Sequence, residues 1–290
     1  MRLRLTKEER AVRAILRWLA GRIKFKSAAK LFNGIGVLKM GNTKLGKGSA
    51  VIAGITLAPA DKAGLIGRSG LPLSVCPFAI AAGCEPGCLN DEGRQGSPLN
   101  VSKREQRTIR WWRHREAFLA DFESGLEVLA EVKARGGPDL TVGFRGNVLS
   151  DIRWELHTLP RSGLTPVEFA VQAGLKMYDY TKWPRDKRPD VPGYKLTRSY
   201  SRFLGEAGAV EVLEQGGNVA VIFDVTTKKG ELPATWHGFP VLDGDKDDER
   251  WNDPPGTVVG LRLKGSHKVK DGLRRIGMVV PVSAPIDIAA

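Results

Sequence analysis

The sequence contains few of the residues from which metal sites and disulfide frameworks are usually built. Its 290 residues include three cysteines and four histidines. An odd number of cysteines excludes a framework in which every thiol is paired within the chain. No run of 18 apolar residues is present, which excludes a membrane-spanning helix, and the first residues lack the apolar core of a signal peptide. We therefore expect a protein of the cytoplasm without a membrane span.

The three cysteines nevertheless lie close together in the sequence. Cys76, Cys84 and Cys88 are separated by seven and three residues in a loop punctuated by glycine and proline. Three thiolates on one short loop can converge on a single metal centre and leave one coordination position open, although this spacing is not that of a standard zinc or iron–sulfur motif. The alternative is simple packing, since cysteine is often a small buried residue. The loop predicts a metal or cluster site on these three residues.

The positive charge of the chain is concentrated in its first 47 residues. The net charge is +13, and residues 1–47 hold 13 Lys and Arg against two Glu, a balance of +11. Thr6 and Glu9 form a capping-box pattern that predicts an amphipathic helix over residues 7–20. Such a segment favours a nucleic-acid partner, with an anionic membrane surface or a solvated tail as alternatives. The predicted nucleic-acid contacts here are Arg10, Arg13, Arg17, Lys24 and Lys26.

A second basic stretch lies in a predicted long helix. Ser102 and Glu105 form another capping-box pattern, and the helix is expected to continue through Arg135 to a Gly-Gly pair. Arginines beside tryptophans can grip a phosphate chain and stack on bases, although tryptophans on a helix also often belong to the core. The candidate nucleic-acid contacts in this helix are Arg107, Arg110 and Trp111.

Beyond residue 139, short apolar strands alternate with helices. The predicted strands are residues 140–144, 176–181, 194–200, 218–225 and 257–263, with helices from Thr165 and over residues 204–215. This alternation predicts an α/β fold with a parallel sheet, arranged as a (β/α) barrel, a partial barrel or a doubly wound sheet. We expect a basic helix and arm over residues 1–47, followed by one α/β domain over residues 48–290 that carries the cysteine loop.

Polar and charged residues follow these strands. Reacting groups in parallel α/β folds gather at the carboxyl ends of strands, so these side chains are expected to share one face and bind a polar, charged small molecule. Each residue alone could instead cap a helix or fill a turn. The candidate catalytic residues are Asp151, Asp179 and Asp224, and the candidate substrate-binding residues are Arg145, Asn147, Arg198, Ser199, Asp243 and Asp245.

Several motifs together resemble the phage gene product 88 domain family. They are the cysteine loop, R-x-N-x-x-S-D-I-x-W-E from Arg145, Y-D-Y-T-K from Tyr178, and V-x-D-G-D-x-x-D-x-R-x-x-D-P from Val241. The resemblance covers residues 44–264. It implies a phage-encoded protein of the host cytoplasm and does not by itself imply an activity.

The cysteine loop is also similar in style to phage proteins that resemble radical S-adenosylmethionine enzymes. That looser resemblance implies a four-iron cluster on Cys76, Cys84 and Cys88 at the mouth of a partial barrel, with the fourth iron open to S-adenosylmethionine. Radical enzymes normally separate these cysteines by three and two residues, and this chain departs from that spacing.

Three functions therefore remain open from the sequence. The first is an iron–sulfur, radical-type enzyme that acts on nucleotides or nucleic acid, as in the modification of phage DNA bases. The second is a barrel of the base transglycosylase or glycosylase type, with zinc on the three cysteines and His114 and an aspartate as nucleophile. The third is a nucleic-acid-binding protein that has a structural metal and no catalytic activity.

Overall fold

The computed structural model describes residues 5–41, 49–84, 88, 96–227 and 230–282. The helices in these ranges are α1 (Lys7–Leu19), α2 (Phe25–Phe32), α3 (Ala79–Ala82), α4 (Pro98–Arg113), α5 (Arg115–Gly136), α6 (Pro166–Gln172), α7 (Gly205–Glu214) and α8 (His267–Arg275). The strands are β1 (Val51–Gly54), β2 (Val142–Arg145), β3 (Lys176–Thr181), β4 (Tyr194–Ser199), β5 (Asn218–Phe223), β6 (Thr235–Trp236), β7 (Phe239–Asp243), β8 (Val258–Arg262) and β9 (Val279–Val280).

The strands form one mostly parallel sheet. Its order is β1-β2-β3-β4-β5-β8-β7-β6, and β6 with β7 is the antiparallel pair. The pairing of β5 with β4 ends at Ala220. Beyond that residue, Ile222 and Phe223 of β5 pair with β9. Parallel neighbours need crossover connections, which α6 supplies between β2 and β3 and α7 between β4 and β5. The predicted α/β class is confirmed, but within the described residues no pairing joins β1 to β6, so the sheet is open and not a closed barrel.

One face of the sheet, the outer face, is covered by helices. Side chains of a strand alternate between faces, so Val142 and Phe144 of β2 enter the outer core while Arg145 lies on the opposite, inner face. Phe144 packs edge-on against Phe122 of α5, with ring centroids 5.8 Å apart. The same core includes Ile15 of α1 together with α2. The predicted boundary between residues 47 and 48 falls outside the described residues and stays a prediction.

The predicted long helix is wrong in one respect, because it is two helices. α4 begins at Pro98, four residues before the predicted cap, and proline suits the first turn because its missing N–H would have no helical partner. Ser102 therefore lies inside α4. His114, with φ −135° and ψ 55°, leaves the helical conformation and separates α4 from α5.

The inner face of the sheet is covered differently. α8 and the residues after it pack there through Leu273 and Met278, which contact Ile222 of β5 and Cys84 of the cysteine loop. At the other end of this face, the ring of Tyr178 packs against that of Trp251, with centroids 5.6 Å apart. In the described ranges no helix has the length and apolar content required to cross a membrane.

Candidate functional site

Two adjoining cavities lie at the carboxyl ends of the parallel strands. The cysteine cavity, of about 240 Å³, lies between the cysteine loop and the loop that follows β2. The sheet cavity, of about 420 Å³, lies over the inner face of β4, β5 and β8. Eight residues line both cavities, which is why we treat them as one site. These are Arg145, Val148, Leu149, Tyr180, Lys182, Ile222, Leu273 and Met278.

All three cysteines line the cysteine cavity. Cys76 precedes α3 and Cys84 follows it, after Gly83 ends the helix in the left-handed conformation with φ 69°. The Cys76 thiol donates to the carbonyl oxygen of Leu149 at 3.4 Å, and the Cys84 thiol to that of Ala79 at 3.5 Å. Burial raises the pKa of Cys76 to about 12, so this thiol is protonated at neutral pH. Within the described residues the cysteines form no disulfide.

The donor set has the chemistry of a three-thiolate centre. Thiolates are soft ligands suited to zinc and iron–sulfur clusters, and binding would require Cys76 to lose its proton and its bond to Leu149. In the described part of the chain, no group of three Cys, His, Asp or Glu side chains is close enough to hold a metal ion. His114 is exposed at the α4–α5 junction and does not line either cavity. The residue types fit the predicted centre and the three thiols share one cavity, but the cysteines would have to move closer together to bind one metal.

Arg145 provides a fixed positive charge in the wall shared by the two cavities. Its Nε donates to the carbonyl oxygen of Asn147 at 3.0 Å and lies 3.8 Å from Oδ1 of Asp179. Its guanidinium carbon is 4.7 Å from the ring centroid of Tyr180. The side chain is 15% exposed, so its charge is only partly screened by solvent. An anionic group in either cavity would find this guanidinium already positioned.

Asn147 and Asp179 hold the loop after β2. The backbone N–H of Asn147 donates to Oδ1 of Asp179 at 2.6 Å, and its side-chain amide donates to Oδ2 at 3.0 Å. The Tyr194 hydroxyl donates to the same carboxylate at 2.5 Å. Burial raises the pKa of Asp179 to about 6. Asn147 lines the cysteine cavity, whereas the predicted catalytic residue Asp179 lies on the outer face and lines neither cavity.

Of the three candidate catalytic aspartates, only Asp151 lines a cavity. Its carboxylate accepts from Nη1 of Arg188 at 2.9 Å and from the backbone N–H of Lys182 at 2.7 Å. Burial raises the pKa of Asp151, which opposes the effect of the arginine. Asp224 instead binds Arg274 of α8 through two contacts of 2.7 and 2.9 Å, which tie this helix to the end of β5. The hydrogen bonds from Arg274 lower the pKa of Asp224.

The predicted substrate-binding residues divide between the two faces of the sheet. Arg145, Asn147, Ser199 and Asp245 line the cavities. Arg198 lies on the outer face, where its Nη2 donates to the carbonyl oxygen of Arg188 at 2.7 Å. Asp243 pairs with Arg262 at 2.8 Å and lines neither cavity.

Several residues that line the site were not predicted from the sequence. Tyr180 and Lys182 lie in the Y-D-Y-T-K motif, so the motif itself was the available signal. Arg262 and Lys264 follow β8, and Leu273 comes from a helix with few apolar residues, which gives no such signal. The charged residues of the sheet cavity are the cations Arg145, Lys182, Arg262 and Lys264 and the acids Asp245 and Asp248, and Asp245 pairs with Arg262 and Lys264.

The residues predicted to contact nucleic acid lie in two separate places. The first group is exposed and lies on α1 and at the start of α2; it consists of Arg10, Arg13, Arg17, Lys24 and Lys26. Trp111 is only 2% exposed and packs on Trp154 with centroids 5.2 Å apart. Arg110 pairs with Asp121, and Arg107 donates to the carbonyl oxygen of Thr56 at 2.9 Å. The contacts of this second group are thus made within the protein.

A family of known proteins matches most of this chain. A family model described as gene product 88 matches residues 36–276, a range that includes every element from β1 to α8. Neither the curated proteins nor the solved structures include a significant match to this chain.

Proposed function

This chain belongs to the gene product 88 family, and we propose that it is an enzyme whose active site is the pair of adjoining cavities. In this proposal Cys76, Cys84 and Cys88 hold a metal centre beside an anionic substrate, a nucleotide or a nucleotide unit of nucleic acid. One observation carries the proposal: three thiols line the same cavity as the cations Arg145 and Lys182. Perturbed ionisable groups and soft metal ligands that meet in one cleft favour a catalytic role over a purely structural one.

The proposed architecture is a partial (β/α) barrel. Its support is that β1 to β5 are neighbours in chain order, as in a barrel, and that Arg145, Tyr180 and Ser199 of β2, β3 and β4 line the sheet cavity. Ligands of parallel α/β folds bind at the carboxyl ends of strands. The sheet cavity, of about 420 Å³, has a size typical of small-molecule sites.

The preferred centre is an iron–sulfur cluster with one position open to S-adenosylmethionine. When bound, such a cluster would be held by Cys76, Cys84 and Cys88 and would supply an electron for reductive cleavage of that cosubstrate. The chain's own residues bind and orient the substrate, since Arg145 and Lys182 offer positive charge to a phosphate. Asn147 and Asp179 hold the loop from which Arg145 receives its fixed geometry. Leu273 and Met278 line both cavities and provide apolar surface beside these polar groups.

A second candidate is a zinc enzyme that exchanges or excises bases with an aspartate nucleophile. It is favoured by one observation, that Asp151 lines the cysteine cavity. Its carboxylate is already bound by Arg188, however, and an attacking carboxylate would have to leave that partner. Replacement of Asp151 by Asn should abolish turnover in this mechanism, whereas unchanged turnover in the variant would exclude Asp151 as the nucleophile.

The test is metal analysis with a visible spectrum on anaerobically purified protein. We expect about four irons per chain and an absorbance band at about 400 nm, and both should be lost in Cys84→Ala. Ile80→Ala is the matched control, because Ile80 lies on α3 between the cysteines, is 85% exposed and has no thiol. It should retain the metal.

The other outcomes are equally informative. One zinc per chain, lost in Cys84→Ala, would favour the second candidate or a purely structural metal. Protein without metal in both the parent and the Ile80→Ala control would contradict the metal centre. In that case the cysteine loop would have a packing role.

A further inference from the structure

Three aromatic side chains cluster at the edge of the cysteine cavity. Phe78, which lines that cavity, packs against Trp183 with centroids 4.8 Å apart and against Phe203 with centroids 5.4 Å apart. They come from the loop before α3, the loop after β3 and the loop after β4. None of the three belongs to the hydrophobic core clusters found in the described part of the chain. Phe203 is 47% exposed.

The surroundings of this cluster are positively charged. The guanidinium carbon of Arg153 lies 4.3 Å from the ring centroid of Trp183. Lys182, the preceding residue, lines both cavities. Residues 181–203 hold seven Lys and Arg against two Asp; Arg188 and Arg198 are buried, and the other five cations are exposed or partly exposed. Lys187 is 64% exposed, and its partner Asp186 is equally open to solvent, so their pairing leaves the ammonium accessible.

We propose that Phe78, Trp183, Phe203 and Arg153, the aromatic platform, bind a single-stranded polynucleotide. An unpaired base stacks on the exposed ring of Phe203, and its phosphates contact cations such as Lys187. Stacking on aromatic side chains beside a basic surface is how proteins bind single strands without sequence preference. A base within a duplex has both faces occupied by its neighbours and would not stack there. The neighbouring nucleotide would then enter the cysteine cavity, and this last step alone rests on the proposed function.

The geometry favours a polymer over a free nucleotide. A free nucleotide has its phosphate and its base in one small molecule, which the cavities could hold without the platform. Phe203 lies outside the lining of both cavities, so the platform would contact only a ligand that extends beyond them. The platform also differs from the surface predicted from sequence, because Trp111 is buried whereas Phe203 is exposed.

Fluorescence anisotropy with labelled oligothymidine of about 12 nucleotides tests this proposal, because such sites span about 4–16 nucleotides. The full-length protein and Phe203→Leu are compared, since leucine retains apolar contact and removes the ring. We expect Phe203→Leu to weaken binding at least about fivefold, which corresponds to the low end of about 1 kcal/mol for loss of one stacked base. Leu31→Ala is the control, because Leu31 is 44% exposed among the basic residues of α2; it should bind like the parent.

Two further measurements sharpen the test. Lys187→Met should lower the slope of log affinity against log salt by about one phosphate contact. A duplex of the same length should bind more weakly than the single strand. Its affinity should be the same for the parent and Phe203→Leu proteins. An oligouridine arm then distinguishes RNA from DNA as the preferred strand.

Equal affinity of the parent and Phe203→Leu proteins for oligothymidine would overturn the platform. If binding is lost only when Arg10 and Arg13 are replaced, the platform is also overturned, and the binding surface is α1. The Cys84→Ala protein separates the two proposals, because binding to the platform does not require a metal. If no metal is found and Phe203-dependent binding persists, the platform stands and the proposed function fails.

Discussion

Replacement of Arg188 by Met should cause the largest loss of stability among single changes near the site. Arg188 is completely buried and lies between two carboxylates. Its Nη1 is 2.9 Å from Oδ1 of Asp151, and its Nε is 2.8 Å from Oε1 of Glu155. Its Nη2 also lies 3.0 Å from the hydroxyl of Tyr194. Methionine fills similar space but leaves both carboxylates without this cation.

The magnitude follows from the burial of these partners. The side chains of Asp151 and Glu155 are 9% and 11% exposed, so water cannot replace the lost guanidinium. Breaking a buried ion pair by removal of one partner costs about 3–5 kcal/mol. With a urea dependence of about 3 kcal/mol per molar, the unfolding midpoint should fall by about 1 M or more.

Arg185→Met is the matched control, because Arg185 lies in the same loop and pairs with Asp190 at 2.8 Å. Both members of this pair are well exposed, and such surface pairs contribute about 0–1 kcal/mol. The assay is urea unfolding followed by tryptophan fluorescence. If Arg188→Met lowers the midpoint no more than Arg185→Met does, the argument from buried charge is refuted.

The pH dependence of the Arg188→Met variant gives an independent check. Burial already raises the pKa of Asp151 in the folded parent, and without the opposing cation this pKa should rise further above its value in the unfolded chain. A group with a raised folded-state pKa contributes stability at low pH and loses it as the pH increases. The deficit of the variant relative to the parent protein should therefore be larger at about pH 7 than at about pH 4.5.

Three further predictions concern single groups. Burial raises the pKa of Asp179 to about 6 from 3.8, so its contribution to stability is largest below about pH 4 and is lost as the pH rises through 6; the unfolding free energy of Asp179→Asn should lack this dependence. Partial burial lowers the pKa of His157 to about 4, and an NMR titration midpoint near the ordinary value of 6.5 would contradict the half-buried position. Gly36→Ala should lower the free energy of unfolding by about 1–3 kcal/mol in thermal unfolding, since its Cβ would lie 2.1 Å from the carbonyl oxygen of Asp121. Gly34→Ala is the control, because its Cβ would lie 3.4 Å from the nearest atom, and it should change stability by less than about 0.5 kcal/mol.

The strands that were predicted correctly are those buried on both faces. β5 reads as a continuous apolar run because helices cover one side and α8 covers part of the other. β6 and β9 have two residues each, which is too short for any periodic pattern. α8 was missed because only Val269 and Leu273 of its nine residues are buried. Short or mostly exposed elements depend on tertiary contacts that local sequence does not encode.

The sequence predicted that the candidate site lies at the carboxyl ends of the strands. It did not predict on which face of the sheet each side chain lies. Ser199 and Arg198 are adjacent in the sequence, yet one lines the sheet cavity and the other lies on the outer face. The same alternation separates Tyr180 from Asp179. A shift of one residue in register reverses every side chain of a strand, and an unaligned sequence does not fix that register. Arg188 was missed because its loop contains other basic residues that the sequence does not distinguish from it.

The open sheet has two edges, and each is protected from pairing with another molecule. At one edge all four residues of β1 are buried, and Gly54 exchanges two backbone hydrogen bonds of 2.9 Å with Lys39. At the other edge β6 offers only Thr235 and Trp236. Unpaired edge strands promote aggregation, and short edges or a covering segment prevent it. Closure into a barrel is one solution to that problem, and this fold achieves the same protection while its inner face stays accessible to a ligand.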